Sequence, residues 1–583
     1  LLGHPVGSAA FATDFFASRI TAIQRDIDSL HTNICDLQTR LRLFSQCTLQ
    51  KIPHLLSTDV LYHLPIDDDD PPWEEWAGPL TAATDRLIND FFTSLLSLPS
   101  TPERSILISQ ISLRHGGLGI LCPRTRAAPD FVITMKSALR NASHGFRIHK
   151  HLPSFQLHSS LGDLFDLTSN PDSLILRRFH ILLPRLATIA CPPSIPSSDR
   201  VEYFLQSVSP RSAWARFKKH CSVYLTNSLY QDVHADYPEH FHLLPSLLSP
   251  QTSYPIIGMC RSQKSNRFAN WEFSHAIRRK LRLPLFPPTS KPYCACGTHL
   301  DPFGDHLFQC KRICKIGAHN FIRDGFARAL TPALFTAGFL PPGSSIDIEP
   351  NSASHPTHTL ARLTSHLTPT RLSRRMSIMD ALTPLSAQTL QLVAPPVPSF
   401  DPTSPDVIHT VTANAASHLQ TYEKRKLGRV NKRNPSTNVV TTGDDLLGDL
   451  LTREMLLLPF AIDPLGRFGP LLEHFLFGSH NSPAISFPAS KPNATKMYTR
   501  LLQYPSGKGI LLLAEHNWRN SPTRRFYDHS YLAPTPSITT IQKLGLSITK
   551  AFALHIRYAS RKFIDHPAHT IPPSVLNPSY PGQ

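Results

Sequence analysis

Three cysteines and one histidine within seventeen residues carry the strongest chemical signal of this sequence. Cys294, Cys296, His306 and Cys310 follow the spacing C-x-C-x9-H-x3-C. Four sulfur and nitrogen ligands with no open position are typical of a structural zinc site, which stabilises a segment too small to have a core of its own. His306 and Cys310 are four residues apart, so their side chains face the same way on a helix. We therefore predict one structural Zn²⁺ bound by these four residues.

Two neighbouring residues are alternative ligands. Cys314 continues the row of His306 and Cys310 at helical spacing, so it either replaces Cys310 or is buried one turn further on. His299 is a weaker alternative. The opposing interpretation is that buried thiols cluster here by coincidence. Against it, six of the ten cysteines are scattered through the chain, whereas three fall within these seventeen residues together with a histidine. The ten cysteines lack an even, disulfide-like spacing, which indicates a reducing compartment.

The charge pattern indicates nucleic acid as a partner. Lys and Arg exceed Asp and Glu by 17 over the chain, and residues 251–330 alone contain 13 basic against 4 acidic side chains. A second cluster, from Lys424 to Arg433, has six basic residues in ten. Such clusters suit a phosphate backbone, whose counterions are released on binding. We predict binding of DNA and RNA, with a merely solvated surface as the alternative, and we infer no small-molecule substrate.

Length and hydropathy limit the remaining possibilities. A chain of 583 residues with 41% hydrophobic content is expected to form three or four domains, while 54 prolines interrupt its helices. The sequence contains no apolar run of about 18 residues, so no membrane span is predicted. No basic and apolar leader starts the sequence. The expected location is nuclear or cytoplasmic, without secretion or a membrane partner.

Apolar periodicity predicts a mostly helical chain. We expect helices over residues 11–48, 79–98, 201–231 and 537–563. Proline-rich stretches at 284–292, 341–370 and 395–405 indicate boundaries or insertions. The four aspartates Asp67 to Asp70 precede two prolines and are interpreted as a surface turn rather than a Mg²⁺ site.

Several segments in order resemble the C-terminal part of a non-LTR retrotransposon polyprotein. The cysteine and histidine cluster, followed by His319 and Asn320, resembles the zinc knuckle of the group whose polyprotein ends in a restriction-like endonuclease. Upstream, LLGHPVGS at Leu1 and SLRHGGLGI at Ser112 resemble segments of the reverse transcriptase that follow its catalytic aspartates. The resemblance places those aspartates before Leu1. Gly443-Asp444-Asp445 is interpreted as the start of a helix, so no polymerase activity is expected.

Downstream segments resemble the restriction-like endonuclease itself. They are MSIMDALTPL at Met376, a helix from Ala415 to Leu427, and LPFAIDPLG at Leu458. The resemblance implies a catalytic Asp380 and a catalytic lysine, either Lys424 or Lys426. In such nucleases two carboxylates hold Mg²⁺ while the lysine places water or stabilises developing charge.

The second carboxylate departs from the family pattern. The family has another aspartate before the strand that carries Asp380, yet residues 351–379 contain no Asp or Glu. Glu349 is the nearest acid in the segment Ile348-Glu349-Pro350. A single carboxylate binds a hard octahedral cation poorly, so Mg²⁺ is expected only if the site is intact. Whether the chain is an enzyme therefore stays open at this point.

The resemblance implies a multidomain protein, mostly α, with a smaller α/β domain of the PD-(D/E)XK type and a small zinc knuckle. The expected divisions are a reverse-transcriptase thumb and connection remnant (1–140), a helical linker region (141–285), the knuckle with its following helix (286–330), a degraded endonuclease domain (331–490), a C-terminal helical region (491–565) and a disordered tail (566–583). The implied function is binding of element RNA and target DNA with an impaired endonuclease. The alternative is a non-catalytic, zinc-stabilised RNA-binding or scaffold protein.

Overall fold

A computed structural model gives the fold of the chain. It describes residues 8–63, 72–148, 174–236, 241, 243–258, 267–286, 293–294, 296–310, 313, 316–338, 462–463, 465–478, 509–520 and 535–564, together with the backbone of six short strands between residues 347 and 457. Contacts within the chain define two units, Leu1–Leu229 and Tyr230–Gln583.

The secondary-structure elements of the first unit, in its described residues, are all helices. Its α-helices are α1 (Ala9–Asn33), α2 (Leu37–Leu43), α3 (Pro53–His63), α4 (Pro79–Leu96), α5 (Glu103–Gln110), α6 (Pro123–Ile148), α7 (Leu174–Ala190), α8 (Arg200–Ser207) and α9 (Pro210–Asp236), the last of which continues into the second unit. Apolar residues from several of these helices form its core. The rings of Phe44 and Phe91, for example, stack with their centroids 3.7 Å apart.

Two helices that the sequence predicts as continuous are broken. The predicted helix 11–48 ends at Asn33, because Asp36 starts a new helix by accepting a hydrogen bond from the Thr39 amide at 2.6 Å. The predicted helix 201–231 is interrupted after Ser207, and Pro210 then begins α9. The residue before a proline disfavours the helical conformation, which accounts for the second break.

The glycine-rich segment at Ser112 forms a tight turn. The Gly117 amide donates to the Ser112 carbonyl at 3.1 Å, and a Cβ atom at Gly117 would lie 2.0 Å from the Ile111 carbonyl oxygen. The turn therefore requires glycine at this position for steric reasons alone.

The second unit contains the predicted knuckle and the C-terminal helix. Its further helices are α10 (Leu244–Leu247), α11 (Pro250–Gly258), α12 (Asn270–Lys280), α13 (Asp305–Gln309), α14 (Ile316–Thr336), α15 (Pro470–Phe477), α16 (Ile510–Asn520) and α17 (Pro536–Ile564). The helix predicted over 537–563 is thus confirmed as α17. Buried residues of α13, α14, α15, α16 and α17 share one hydrophobic core with the knuckle.

Six short strands lie between α14 and α15. They are β1 (Asp347–Ile348), β2 (Leu360–Leu363), β3 (Met376–Met379), β4 (Lys432–Arg433), β5 (Val440–Thr441) and β6 (Leu456–Leu457). One sheet has the order β1-β2-β3-β6, in which β2 is antiparallel to both neighbours and β3 is parallel to β6. Strands β4 and β5 form a separate antiparallel pair.

The prediction of a mostly helical protein is confirmed. None of the helices in the described ranges is both long and apolar enough to cross a membrane. The finer division into six segments stays a prediction.

Candidate metal centre

The four predicted zinc ligands converge in the structure. One ligand atom from each of Cys294, Cys296, His306 and Cys310 lies within 4.8 Å of the other three. The Sγ atoms of Cys294 and Cys310 are 3.3 Å apart, and Cys296 Sγ lies 3.1 Å from His306 Nε2. This arrangement could hold a metal ion, and its donors are those that structural zinc sites use.

A tight hairpin positions the first two cysteines. The Cys294 amide donates to the Thr298 carbonyl at 2.7 Å, and the Gly297 amide donates to the Cys294 carbonyl at 2.8 Å. Gly297 has a φ of 87°, a left-handed conformation that glycine adopts without strain. The hairpin folds Cys294 and Cys296 back toward the next helix.

Asp301 organises the segment that presents His306. Its carboxylate accepts hydrogen bonds from the amides of Phe303 and Asp305 at 3.0 Å each and from the His306 amide at 2.9 Å. A carboxylate that satisfies free amides at the start of a helix stabilises that start. Asp301 thus fixes the first turn of α13, from which the imidazole reaches the cluster.

The electrostatics of the two hairpin cysteines differ. Burial raises the pKa of Cys294 to about 12. Burial acts in the same direction on Cys296, but hydrogen bonds with Thr298, Cys294 and His306 outweigh it and lower the pKa of Cys296 to about 6. Since a metal binds the thiolate form, Cys296 is prepared for coordination at neutral pH, whereas Cys294 requires the charge of a cation beside it.

The structure bears on both alternative ligands, Cys314 and His299. Helix α13 ends at Gln309, and Cys310 follows in an extended conformation. His306 and Cys310 therefore do not lie on a helix that continues to Cys314, and Cys314 itself lies outside the described residues. His299 is exposed and its ring lies on that of Tyr293, with centroids 4.0 Å apart, rather than joining the cluster.

The knuckle packs against helices distant in sequence. The Phe308 ring meets the Phe552 ring of α17 edge to face, with centroids 5.3 Å apart. His555 of α17 is within hydrogen-bonding distance, 3.0 Å, of the Leu307 carbonyl. Arg282, just after α12, forms a two-point salt bridge with Asp305 of α13 at 3.0 and 2.5 Å. The cluster thus lies at a junction of helices.

The predicted nuclease residues Asp380, Lys424, Lys426 and Glu349 lie outside the described residues. Two of them directly follow described strands, since β1 ends at Ile348 and β3 ends at Met379. Strand β1 also contains Asp347, an acid that the sequence analysis did not single out.

Some of the basic residues counted as a nucleic-acid signal lie inside the protein. Lys280 is 4% exposed, and its ammonium donates to the carbonyls of Leu247 and Ser249 at 2.6 and 2.8 Å and to the Thr252 hydroxyl at 3.2 Å. Burial lowers the pKa of Lys280 to about 7. Arg282 is also buried, against Asp305. These two charges stabilise the fold rather than face a ligand.

Comparisons of the chain with protein-family models, with curated proteins and with solved structures gave no match.

Proposed function

We propose that this chain binds nucleic acid through a helical unit stabilised by Zn²⁺ at Cys294, Cys296, His306 and Cys310. The proposal includes descent from a non-LTR retrotransposon polyprotein, with element RNA and target DNA as the nucleic acids bound. The convergence of the four ligand atoms within 4.8 Å carries this proposal. The residues whose spacing resembles the family's zinc knuckle are thus the ones that form a set of donors suited to zinc.

The packing around the cluster supports a structural rather than catalytic role for the ion. Four protein ligands fill a tetrahedral site and leave no position for water or substrate. Phe308 and Leu307, which lie between His306 and Cys310, are buried in the core of the unit. Loss of the ion would therefore release residues that support α17 and α14.

A mixed four-stranded sheet after the long helix α14 supports a nuclease-like α/β part. Strands β1 and β3 are both antiparallel to β2, so they run in the same direction and end at the same edge. Glu349 and Asp380 follow these two ends in the sequence. Because β2 lies between them, the strand ends are about 10 Å apart, which is unfavourable for sharing one Mg²⁺. The proposal therefore includes an impaired nuclease.

The second candidate is a non-catalytic, zinc-stabilised RNA-binding or scaffold protein. The complete lack of Asp and Glu in residues 351–379 favours it over an active nuclease. It shares the zinc site and the nucleic-acid binding of the main proposal but excludes metal-dependent cleavage.

Salt dependence tests the nucleic-acid binding. If about six phosphates are contacted, the slope of log K against log salt on duplex DNA should be about −5. Replacing Lys424, Arg425 and Lys426 together by Ala should make the slope less steep by about 2 to 3, because each lost phosphate contact removes about 0.9. Fluorescence anisotropy of a labelled duplex over a salt series measures both slopes.

The matched control removes three exposed basic residues of the first unit, Arg19, Arg25 and Arg211. It should leave the slope nearly unchanged. Affinity that is independent of salt between dilute and physiological buffer would contradict the proposal, and equal effects of the two triple variants would contradict the role of the 424–426 cluster.

A further inference from the structure

The three thiols of the metal cluster differ in their exposure to solvent. Cys294 and Cys310 are each 4% exposed and belong to the hydrophobic core of the second unit. Cys296 is only partly buried, and it packs against that core rather than inside it. Because oxidation of a sulfur requires access to it, a small oxidant that approaches from solvent reaches Cys296 first.

The three sulfurs lie close enough to exchange bonds. The four ligand atoms of the cluster are within 4.8 Å of one another, and the Sγ atoms of Cys294 and Cys310 are 3.3 Å apart. Since the sulfur–sulfur bond of a disulfide is about 2.0 Å long, a movement of about 1.3 Å joins this buried pair. Cys296 Sγ lies 3.1 Å from His306 Nε2 and 3.2 Å from Thr298 Oγ1. The cluster thus places one accessible thiol beside a buried pair of thiols.

We infer that the cluster is a site of reversible oxidation by hydrogen peroxide, which joins Cys294 to Cys310 and releases the metal ion. Redox-sensing cysteines are accessible thiolates with a second cysteine beside them, and in a reducing compartment their disulfides are transient. Cys296 has both properties. This inference rests on the proposed function for the presence of zinc, and it adds a chemical signal that empties the site.

The reaction begins at Cys296. Its thiolate attacks one oxygen of the peroxide and breaks the O–O bond, which gives a sulfenic acid on Cys296 and one hydroxide. The Cys294 thiolate then attacks the Cys296 sulfur, forms an S–S bond and expels a second hydroxide. Finally, the Cys310 thiolate attacks the Cys294 sulfur and expels the Cys296 thiolate. The peroxide has accepted two electrons from Cys294 and Cys310, and Cys296 is regenerated.

The bridge between Cys294 and Cys310 is the stable product for two reasons. It encloses fifteen residues, whereas a bridge between Cys294 and Cys296 encloses one, and a disulfide that closes a longer loop restricts the unfolded chain more. It also joins two sulfurs that already lie side by side in the core. Only Cys296 and His306 then remain as ligands, which is too few for a structural zinc site, so the ion is released.

The test treats the zinc-loaded full chain with one equivalent of hydrogen peroxide. A chromogenic zinc chelator follows release of the ion, and free thiols are counted in the denatured protein. We expect one zinc ion to be released for every two thiols lost from the ten of the chain. Peptide mapping by mass spectrometry should identify a bridge between Cys294 and Cys310, with Cys296 still open to alkylation. Dithiothreitol and added Zn²⁺ should restore the starting state.

Two variants separate the roles of the thiols. Cys310→Ser should lose thiols about ten times faster than Cys296→Ser, because it keeps the accessible thiol that attacks the peroxide. It should end with a bridge between Cys294 and Cys296, since the last exchange step has no thiol. Each variant lacks one metal ligand, so weaker zinc binding is common to both. Cys47→Ser, which removes an exposed thiol outside the cluster, should react as the wild-type protein does.

Several outcomes would overturn the inference. Equal rates of thiol loss in the two ligand variants would contradict the role of Cys296. A final bridge at Cys296 in the wild-type protein, or a zinc-loaded protein whose thiols survive the peroxide, would overturn the inference and leave the proposed function intact. The mapping of the wild-type protein does not depend on either variant being folded. A protein that is purified in reducing buffer without zinc would remove both proposals.

Discussion

At the scale of single residues, the metal cluster could be predicted because ligand chemistry is a property of side-chain type and local spacing. Cys294, Cys296, His306 and Cys310 lie close in sequence, so one hairpin and one helical turn bring them together. The role of Asp301 was not predictable in the same way, since a lone aspartate in a loop gives no sign of the amides it caps.

We predict that the purified chain contains close to one equivalent of zinc. Cys296→Ser should reduce this content to a small fraction, because a hydroxyl is a poor substitute for a thiolate ligand. Cys47→Ser is the matched control, since Cys47 is an exposed thiol outside the cluster. Elemental analysis by mass spectrometry provides the measurement. A Cys296→Ser protein that keeps a full equivalent would show that the assigned ligand set is incorrect.

Burial of charged residues was beyond the reach of the sequence. Counting Lys280 and Arg282 as part of a nucleic-acid signal assumed that basic side chains face solvent. The structure instead uses Lys280 to satisfy carbonyl groups near the end of α10 and Arg282 to hold Asp305.

At the scale of elements, periodicity located helices well and their ends less well. The apolar pattern of α17 predicted its bounds to within one residue. It missed the break before α2, because the capping hydrogen bond of Asp36 interrupts a pattern whose hydrophobic residues continue on both sides. The short strands around residues 347–457 were harder to anticipate, since motifs marked only β3, which ends just before Asp380, and the segment from Leu458 that follows β6.

The nuclease-like elements lead to a prediction about catalysis. Mg²⁺-dependent nicking of supercoiled DNA by the purified chain should be absent or very slow, because residues 351–379 contain no Asp or Glu to supply the family's second carboxylate. The assay measures conversion to open-circular DNA, with Asp380→Ala as the matched variant. Rapid nicking that disappears in Asp380→Ala would contradict the impaired site and would mean that Glu349 or Asp347 supplies the second ligand. Nicking that persists in that variant would indicate another source.

At the scale of the whole molecule, apolar periodicity predicted a mostly helical chain but not which of its distant segments pack together. His555 and Leu307 are 248 residues apart in sequence and meet in one core. No local pattern predicts such a contact. Apolar periodicity shows that each of two elements has an apolar face, but it does not show which faces pack together. The knuckle and the C-terminal helix were therefore expected as separate regions, yet they pack together.

The central claim is that zinc supports the part of the chain that binds nucleic acid. The most direct test titrates a labelled 15-nucleotide oligouridylate with wild-type protein before metal removal, after removal by a chelator under reducing conditions, and after addition of one equivalent of Zn²⁺. We expect affinity to fall at least tenfold on removal and to recover on addition, because the ion supports the core that positions α17. Unchanged affinity in protein shown by elemental analysis to be free of metal would contradict the claim.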